Sequence, residues 1–411
     1  MRIGLVVGGF PAITDPWAVQ QAVALAERGH QVVVCAVRRF DAYAEYFPEF
    51  SACGFDRSMR TFPDTTQPRE SSRVLRAATR ALMRHPGRCG PIILSETFTP
   101  RPHIGLSVLQ RLANIVPFLS EARFDVIHAH FAPNALRILP ALQAGLLRAP
   151  LLTTFHGYDA NSFPNRHGRN VYRNLFDVGA RFTAGTAFMA TRVLDLGCSP
   201  NKLVQIPMGI DLSSFPFATR SRERGKPIQI LSVARLVEVK GLEYGIRAFA
   251  AIAQNHPNLR YVIAGDGPLR AELEQLAHTL GMAERIHFLG RQSPRQAHAL
   301  YRSSHLFLHP GIVAKTGAVE SQSIVLAEAQ ASGLPVVANR VGGIPEVVIE
   351  GESAILVPTG DVEALSGQLE FLVNRPDRWP TMGRAGRAFV EREFSSATMI
   401  RRLLSVYEEL L

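Results

Sequence analysis

Long apolar runs are missing from this chain of 411 residues. No stretch approaches the roughly 18 consecutive apolar residues that a bilayer span requires, so the protein reads as soluble or peripheral. Cysteine is scarce: Cys35, Cys53, Cys89 and Cys198 are scattered, with no CxxC pair and no histidine at metal-ligand spacing around them. That excludes a disulfide scaffold or a zinc ribbon and fits reduced thiols in the cytoplasm. Phosphate-loop motifs are absent too. No GxxxxGK(S/T) occurs, and Arg270 stands where a dinucleotide fingerprint would place a third glycine after Gly265 and Gly267, which counts against ATP hydrolysis and against NAD. Residues 1–7 hold one basic residue and a very short apolar run without a cleavage site, and are read as a first strand rather than a signal peptide. Internal repeats and low-complexity tracts are also lacking.

What is present is an ordinary globular composition, 46% hydrophobic, in a chain long enough for two domains. The formal net charge of +10 is unevenly spread, because residues 57–111 hold ten arginines against Asp64, Glu70 and Glu96. Short β-branched runs at 3–7, 31–37, 125–128, 151–155, 228–233, 260–264 and 336–339 alternate with helical patterns. This is the signature of parallel βαβ units. A polar stretch interrupts it, so the reading is an α/β chain of two doubly wound, Rossmann-like domains at 1–210 and 227–390, with a linker at 211–226. A last helix within 391–411 is expected to pack back toward the first domain. Ligands of such sheets bind beyond the carboxyl ends of the strands, which places the expected site in a cleft where the two domains face each other.

The most informative segment runs from Glu320 through Ser321-Gln322-Ser323 to Glu328, with Gly333 and Pro335 ending a short apolar helix that begins at Ser323. Glu320 then lies in a loop and Glu328 on the helix. A helix start directs unpaired N–H groups and a positive dipole end forward, which favours a phosphate. Spacing alone equally fits two unremarkable glutamates. Arg235 and Lys240 follow the first strand of the second domain, where both cations can reach one diphosphate or simply be solvated. Gly265-Asp266-Gly267-Pro268 makes a tight, largely architectural turn into a helix.

Together with Gly342-Gly343-Ile344-Pro345-Glu346, these motifs resemble the retaining glycosyltransferases of the family 4 type, which have the GT-B fold. The first domain resembles the exopolysaccharide and colanic-acid branch of that family through Phe10-Pro11, Asp125-Val-Ile-His128-Ala-His130-Phe131 and Thr153-Thr-Phe-His156-Gly157-Tyr-Asp159. The resemblance implies a nucleotide-sugar donor, a UDP- or GDP-sugar, used without metal or other cofactor. It implies that Arg235 and Lys240 hold the diphosphate, Glu328 the ribose and Glu320 the donor sugar. The backbone of Ser323, Ile324 and Val325 would cradle phosphate and sugar, Gly265 would sit in the turn beside them, and Arg291 and Gln292 would meet the base. From the first domain, Gly8 and Gly9 would allow close approach to phosphates, and His156 would lie beside sugar and acceptor. The chain departs from the family where Ser321-Gln322-Ser323 replaces Gly-Phe-Gly, placing side chains where bare backbone is usual. A glycosidase reading fails because eight helical residues span roughly 12 Å, beyond the about 5–9.5 Å of paired glycosidase carboxylates.

His128 and His130 could share a strand face with a metal, but no third ligand is apparent in the sequence. Arg69, Arg73, Arg76, Arg80 and Arg84 recur at spacings of four, three, four and four, opposite Val74, Leu75, Ala78 and Leu82. Such a helix face suits an anionic membrane surface and a lipid-linked glycan acceptor, or it is a solvated face whose apolar side packs on the domain. The reading is a cytoplasmic enzyme, peripheral at the inner membrane face. Two alternatives stand beside it: a non-hydrolysing nucleotide-sugar epimerase of the same architecture, and a basic nucleic-acid-binding protein. The second lacks interleaved aromatics and any RRM, KH or helix-turn-helix pattern, so no nucleic-acid partner is expected.

Overall fold

The computed structural model describes the chain except residues 13–14, 63–70, 85, 88–109, 111, 115–117, 119–122 and 224, and gives only the backbone of 71, 73, 74, 77, 81 and 84. The chain forms two compact units. The first comprises Met1–Gly185, Met189–Ile206 and Ile400–Leu411, and the second Thr186–Phe188 and Pro207–Met399.

In the first unit the strands are β1 (Arg2–Phe10), β2 (Gln31–Arg39), β3 (Arg60–Thr61), β4 (Val126–His130), β5 (Leu151–Phe155), β6 (Arg181–Ala184) and β7 (Leu203–Gln205). They pair in parallel in the order β3-β2-β1-β4-β5-β6-β7. The order reverses between β1 and β4, the place where a doubly wound sheet leaves a crevice at its carboxyl edge. Gly8 and Gly9 lie near the end of β1, and His130 ends β4.

The second unit holds β8 (Ile228–Val233), β9 (Leu259–Ala264), β10 (Ile286–Gly290), β11 (Leu306–His309), β12 (Val336–Asn339) and β13 (Ala354–Val357), all parallel, in the order β10-β9-β8-β11-β12-β13. Successive residues point to opposite faces, and both faces are covered. Ile230, Leu308 and Val337 join one apolar cluster with Phe249 and Trp379, while their neighbours Leu231, Phe307 and Val336 join another with Leu326 and Val390. Strands buried on both sides read as continuous apolar runs, which is why β8 and β12 are legible in the sequence.

Of the five arginines, Arg69 and the side chains of Arg73 and Arg84 lie outside the described residues. Arg76 and Arg80 are exposed on the helix Ser71–Arg84. Ala78 is buried, but Leu75, Leu82 and Met83 are 52%, 40% and 74% exposed. The apolar side expected to pack on the domain is therefore covered only in part. Among the described residues, no helix is long and apolar enough to cross a membrane, and no three His, Cys, Asp or Glu side chains gather as a metal would require.

Candidate active site

In the second unit the loops that follow β8, β9, β10 and β11 all leave the same, carboxyl edge of the sheet. The order reverses between β8 and β11, and these two strands supply the central ion pair. Arg235 and Lys240 follow β8 and Glu320 follows β11, with Lys240 Nζ 2.5 Å from Glu320 Oε1. Glu320 is 7% exposed. Burial alone would raise its carboxyl. The charges of Lys240 and Arg235 and the Lys240 hydrogen bond outweigh burial and hold it below the ordinary value.

Glycine makes this geometry possible at four contacts. A Cβ on Gly265, whose φ is +140°, would lie 1.8 Å from the carbonyl oxygen of Ala234, and one on Gly267 would lie 2.5 Å from that of Leu236. The Gly265-Asp266-Gly267 turn is thus pressed against the Arg235 loop, and the hydrogen bond from Leu236 N to Asp266 O at 3.0 Å ties the two. Gly342 and Gly343 do the same over the Glu320 loop, where a Cβ would meet Glu320 O at 2.0 Å and Ser321 O at 1.7 Å. Gly9 packs against Phe40, with 2.5 Å from its Cβ position to the ring, whereas Gly8 has room for a Cβ.

The helix Ile324–Ala331 begins one residue after Ser323, and Ser323 has the left-handed φ of 53°, a conformation that costs a non-glycine residue roughly 1–2 kcal/mol. Its side chain does not cap the helix. The hydroxyl lies instead 3.0 Å from Nε2 of His309, the last residue of β11. Gln322 is also turned inward: its amide donates to Met208 O and accepts from Met208 N, both at 2.8 Å. The side chains of Gln322 and Ser323, which stand for Phe-Gly of the family's Gly-Phe-Gly, therefore point into the protein, leaving backbone at the helix start. Ile324 and Val325, in the first turn, are half-buried.

Glu328 lies one turn further along and accepts from Tyr301 OH at 2.6 Å. Burial lifts its carboxyl to about 6, against the lowering effect of that bond. Arg291 is exposed beyond β10, and Gln292 donates to Leu289 O at 2.8 Å, fixing the loop. Glu346 accepts from the N–H groups of Ala187 and Phe188 at 2.6 and 2.8 Å, a supporting contact.

The first unit has a histidine cluster at the ends of β4 and β5. His128 bonds Thr154 Oγ1 and Tyr407 OH, each at 2.7 Å. His130 Nδ1 lies 3.0 Å from His156 Nε2, and Trp17 stacks on His156 with ring centroids 4.5 Å apart. Burial pulls His128 and His156 down to about 3 and His130 well below its ordinary value, so all three rings are neutral near pH 7. Asp159, fully buried, anchors the loop through the N–H groups of His156 and Gly157, both at 2.9 Å, and reaches Ala132 N at 3.0 Å. Sequence reading missed the roles of His309, Tyr301, Trp17 and Asp159. For His309 a signal exists, a polar residue closing an otherwise apolar buried strand just before the Glu320 loop.

Residues 17–214 match the family described as Glycosyltransferase Family 4, and residues 216–389 that described as Glycosyl transferases group 1. AmsK of Erwinia amylovora, named an amylovoran biosynthesis glycosyltransferase, is 30% identical over 307 residues, which are 72% of each chain. The chain belongs to glycosyltransferase family 4. This glycosyltransferase is also 27% identical over 412 residues to WcaL of Salmonella typhimurium, named for colanic acid biosynthesis, covering 99% of this chain and 100% of the relative. A crystal structure of Anabaena Alr3699/HepE in complex with UDP matches the whole length of both chains with a TM-score of 0.71 at 18% identity, a likeness of fold. The two Rossmann-like sheets are those of a GT-B glycosyltransferase, and neither the epimerase nor the nucleic-acid alternative is favoured.

Proposed function

We propose that the glycosyltransferase moves a sugar, with retention of configuration, from a nucleotide-diphosphate sugar to a growing, lipid-linked surface glycan, as in exopolysaccharide synthesis, and that it needs no metal. One observation carries this reading: Arg235, Lys240 and Glu320 gather at the switch point of a single sheet, and the segment after Glu320 leads into an uncapped helix start with Glu328 one turn along it. Support for the donor class comes from HepE, crystallised with UDP, and for the product class from the names of WcaL and AmsK.

Breaking the bond from the anomeric carbon to phosphate puts positive charge on the sugar and negative charge on the leaving diphosphate. Preorganised cations and a helix start stabilise that separation more than the ground state. The acceptor hydroxyl attacks the anomeric carbon from the side of the leaving group and its proton passes to the departing phosphate, so no carboxylate base is required. Glu320 and Glu328 act as hydroxyl acceptors, and His156, as a neutral imidazole, serves the sugar and acceptor hydroxyls.

A thermal-shift screen against UDP-, GDP- and ADP-sugars tests the donor class. The matching donor is expected to stabilise by about 2.7 kcal/mol at a hundredfold excess over Kd, and no shift with any of them would overturn the reading. Glu328 adds a pH signature. Its carboxylate is complete above about pH 7 and is lost as pH falls through 6, so nucleotide affinity should weaken from pH 7.5 to 5 in calorimetric titrations. Glu328→Gln should bind more weakly and without that slope; a slope that persists in the variant would remove Glu328 from the ribose site.

The exposed Arg76, Arg80, Leu75, Leu82 and Met83 on one helix support peripheral attachment to an anionic membrane at its cytoplasmic face. Each basic residue near the lipid contributes about 1 kcal/mol. In liposome flotation with anionic lipid, replacing the five arginines by Gln should abolish co-flotation, and unchanged flotation would exclude this helix as the anchor.

A further inference from the structure

The pair His309 and Ser323 has no part in the chemistry above, yet its geometry bears on the helix start. A serine preceding a helix ordinarily turns its hydroxyl onto the N–H of the second or third helical residue, satisfying a group the helix leaves unpaired. Ser323 makes no such bond, and its φ of 53° and ψ of 74° are not those of a capping residue. Its hydroxyl lies 3.0 Å from Nε2 of His309, and both residues are buried, at 8% and 2% exposure. Burial draws the imidazole down to about 4, so at neutral pH the ring is an uncharged hydrogen-bond partner.

We propose that His309 is a positioning residue for donor binding: by holding the Ser323 hydroxyl it keeps residue 323 left-handed and leaves the N–H groups of Ile324 and Val325 open to a diphosphate, while the Leu326 N–H is taken by Ser323 O at 3.0 Å. Without that hold, Ser323 can relax to the extended backbone that capping residues adopt and place its own hydroxyl on those N–H groups, in competition with phosphate. The inference rests on the donor reading and predicts a coupling that packing alone would not produce. A glycine at 323 has no hydroxyl to compete and adopts the left-handed conformation freely, so it should make His309 dispensable for binding.

The test is a double-variant cycle on the intact protein, titrating UDP, GDP and ADP calorimetrically at pH 7.5, with thermal melts to confirm folding. His309→Leu is expected to weaken binding of the preferred nucleotide about tenfold when Ser323 is present, and less than about threefold in the Ser323→Gly background. His309→Gln, which keeps a hydrogen-bonding group on a side chain of similar reach, should recover most of the loss. If the Leu variant fails to fold, His309→Met replaces it in the same cycle. Equal losses in both backgrounds, or no loss from His309→Leu, would overturn the inference while leaving the donor reading intact. A wild-type protein that binds none of the three nucleotides would overturn the donor reading and this inference with it.

Discussion

Lys240→Met is expected to lower kcat/KM on the order of 10³-fold and to destabilise the second unit as well. Removing a preorganised charge from a transition state that builds up negative phosphate costs about 10²–10³ in rate, and Lys240 also holds Glu320. The two side chains are 16% and 7% exposed and 2.5 Å apart. Taking away one partner of a buried pair leaves an uncompensated charge, at a cost of about 3–5 kcal/mol. The Glu320 carboxyl, no longer held down by its nearest cation, should then rise under the burial that Lys240 now outweighs. Lys240→Met/Glu320→Gln separates the two effects, because it removes both charges. Its melting temperature should return toward that of the wild type while kcat/KM stays low. Recovery of turnover in the double variant would show that Lys240 acts only through Glu320, and a single variant with wild-type turnover would remove Lys240 from the diphosphate site.

Much of the second unit is legible in the sequence because its central strands, β8, β9 and β12, are apolar runs bounded by turn residues, and its charged residues follow them at once. Other strands are harder to see. Leu306–His309 is four residues long and directly follows the helix Pro294–Ser303, so periodicity cannot separate it from its neighbour. Ile286–Gly290 contains a histidine and a register shift. Arg235, Lys240, Glu320 and Glu328 are recoverable from spacing within known patterns. The partners of Tyr301 and His309 are not, since Glu328 and Ser323 lie 27 and 14 positions away and only the fold brings them together. Direction is equally hidden. Spacing places Gln322 and Ser323 beside the donor, and only coordinates show that both side chains turn inward. The first unit illustrates the converse: Asp159 is visible as part of a motif, but its task, gathering the backbone of His156, Gly157 and Ala132, depends on where a distant helix starts.

Asp159→Ala should therefore have a large effect on stability as well as on rate. The carboxylate is fully buried and accepts three backbone N–H groups, and Tyr172 OH donates to the Asp159 carbonyl at 2.7 Å, fixing the loop from the other side. Each buried N–H left without an acceptor costs about 1–3 kcal/mol, so the loss should be roughly 3 kcal/mol or more, a fall of about 6–12 °C in melting temperature for a domain of this size. Asp159→Asn retains one acceptor oxygen but turns an amide N–H toward a backbone donor, and should fall between the wild type and the alanine variant. His156 gives the contrast that isolates positioning. Its own replacement by Ala should leave the loop anchored and the fold intact while turnover drops strongly. Asp159→Ala should lower both, because a loosened loop no longer holds the imidazole against Trp17 and His130, and a misplacement of about 1 Å can cost 10²-fold. Denaturant unfolding together with steady-state kinetics on the three variants decides the matter: an alanine variant within about 1 kcal/mol of the wild type would refute the anchoring role, and full turnover in His156→Ala would place the imidazole outside the chemistry.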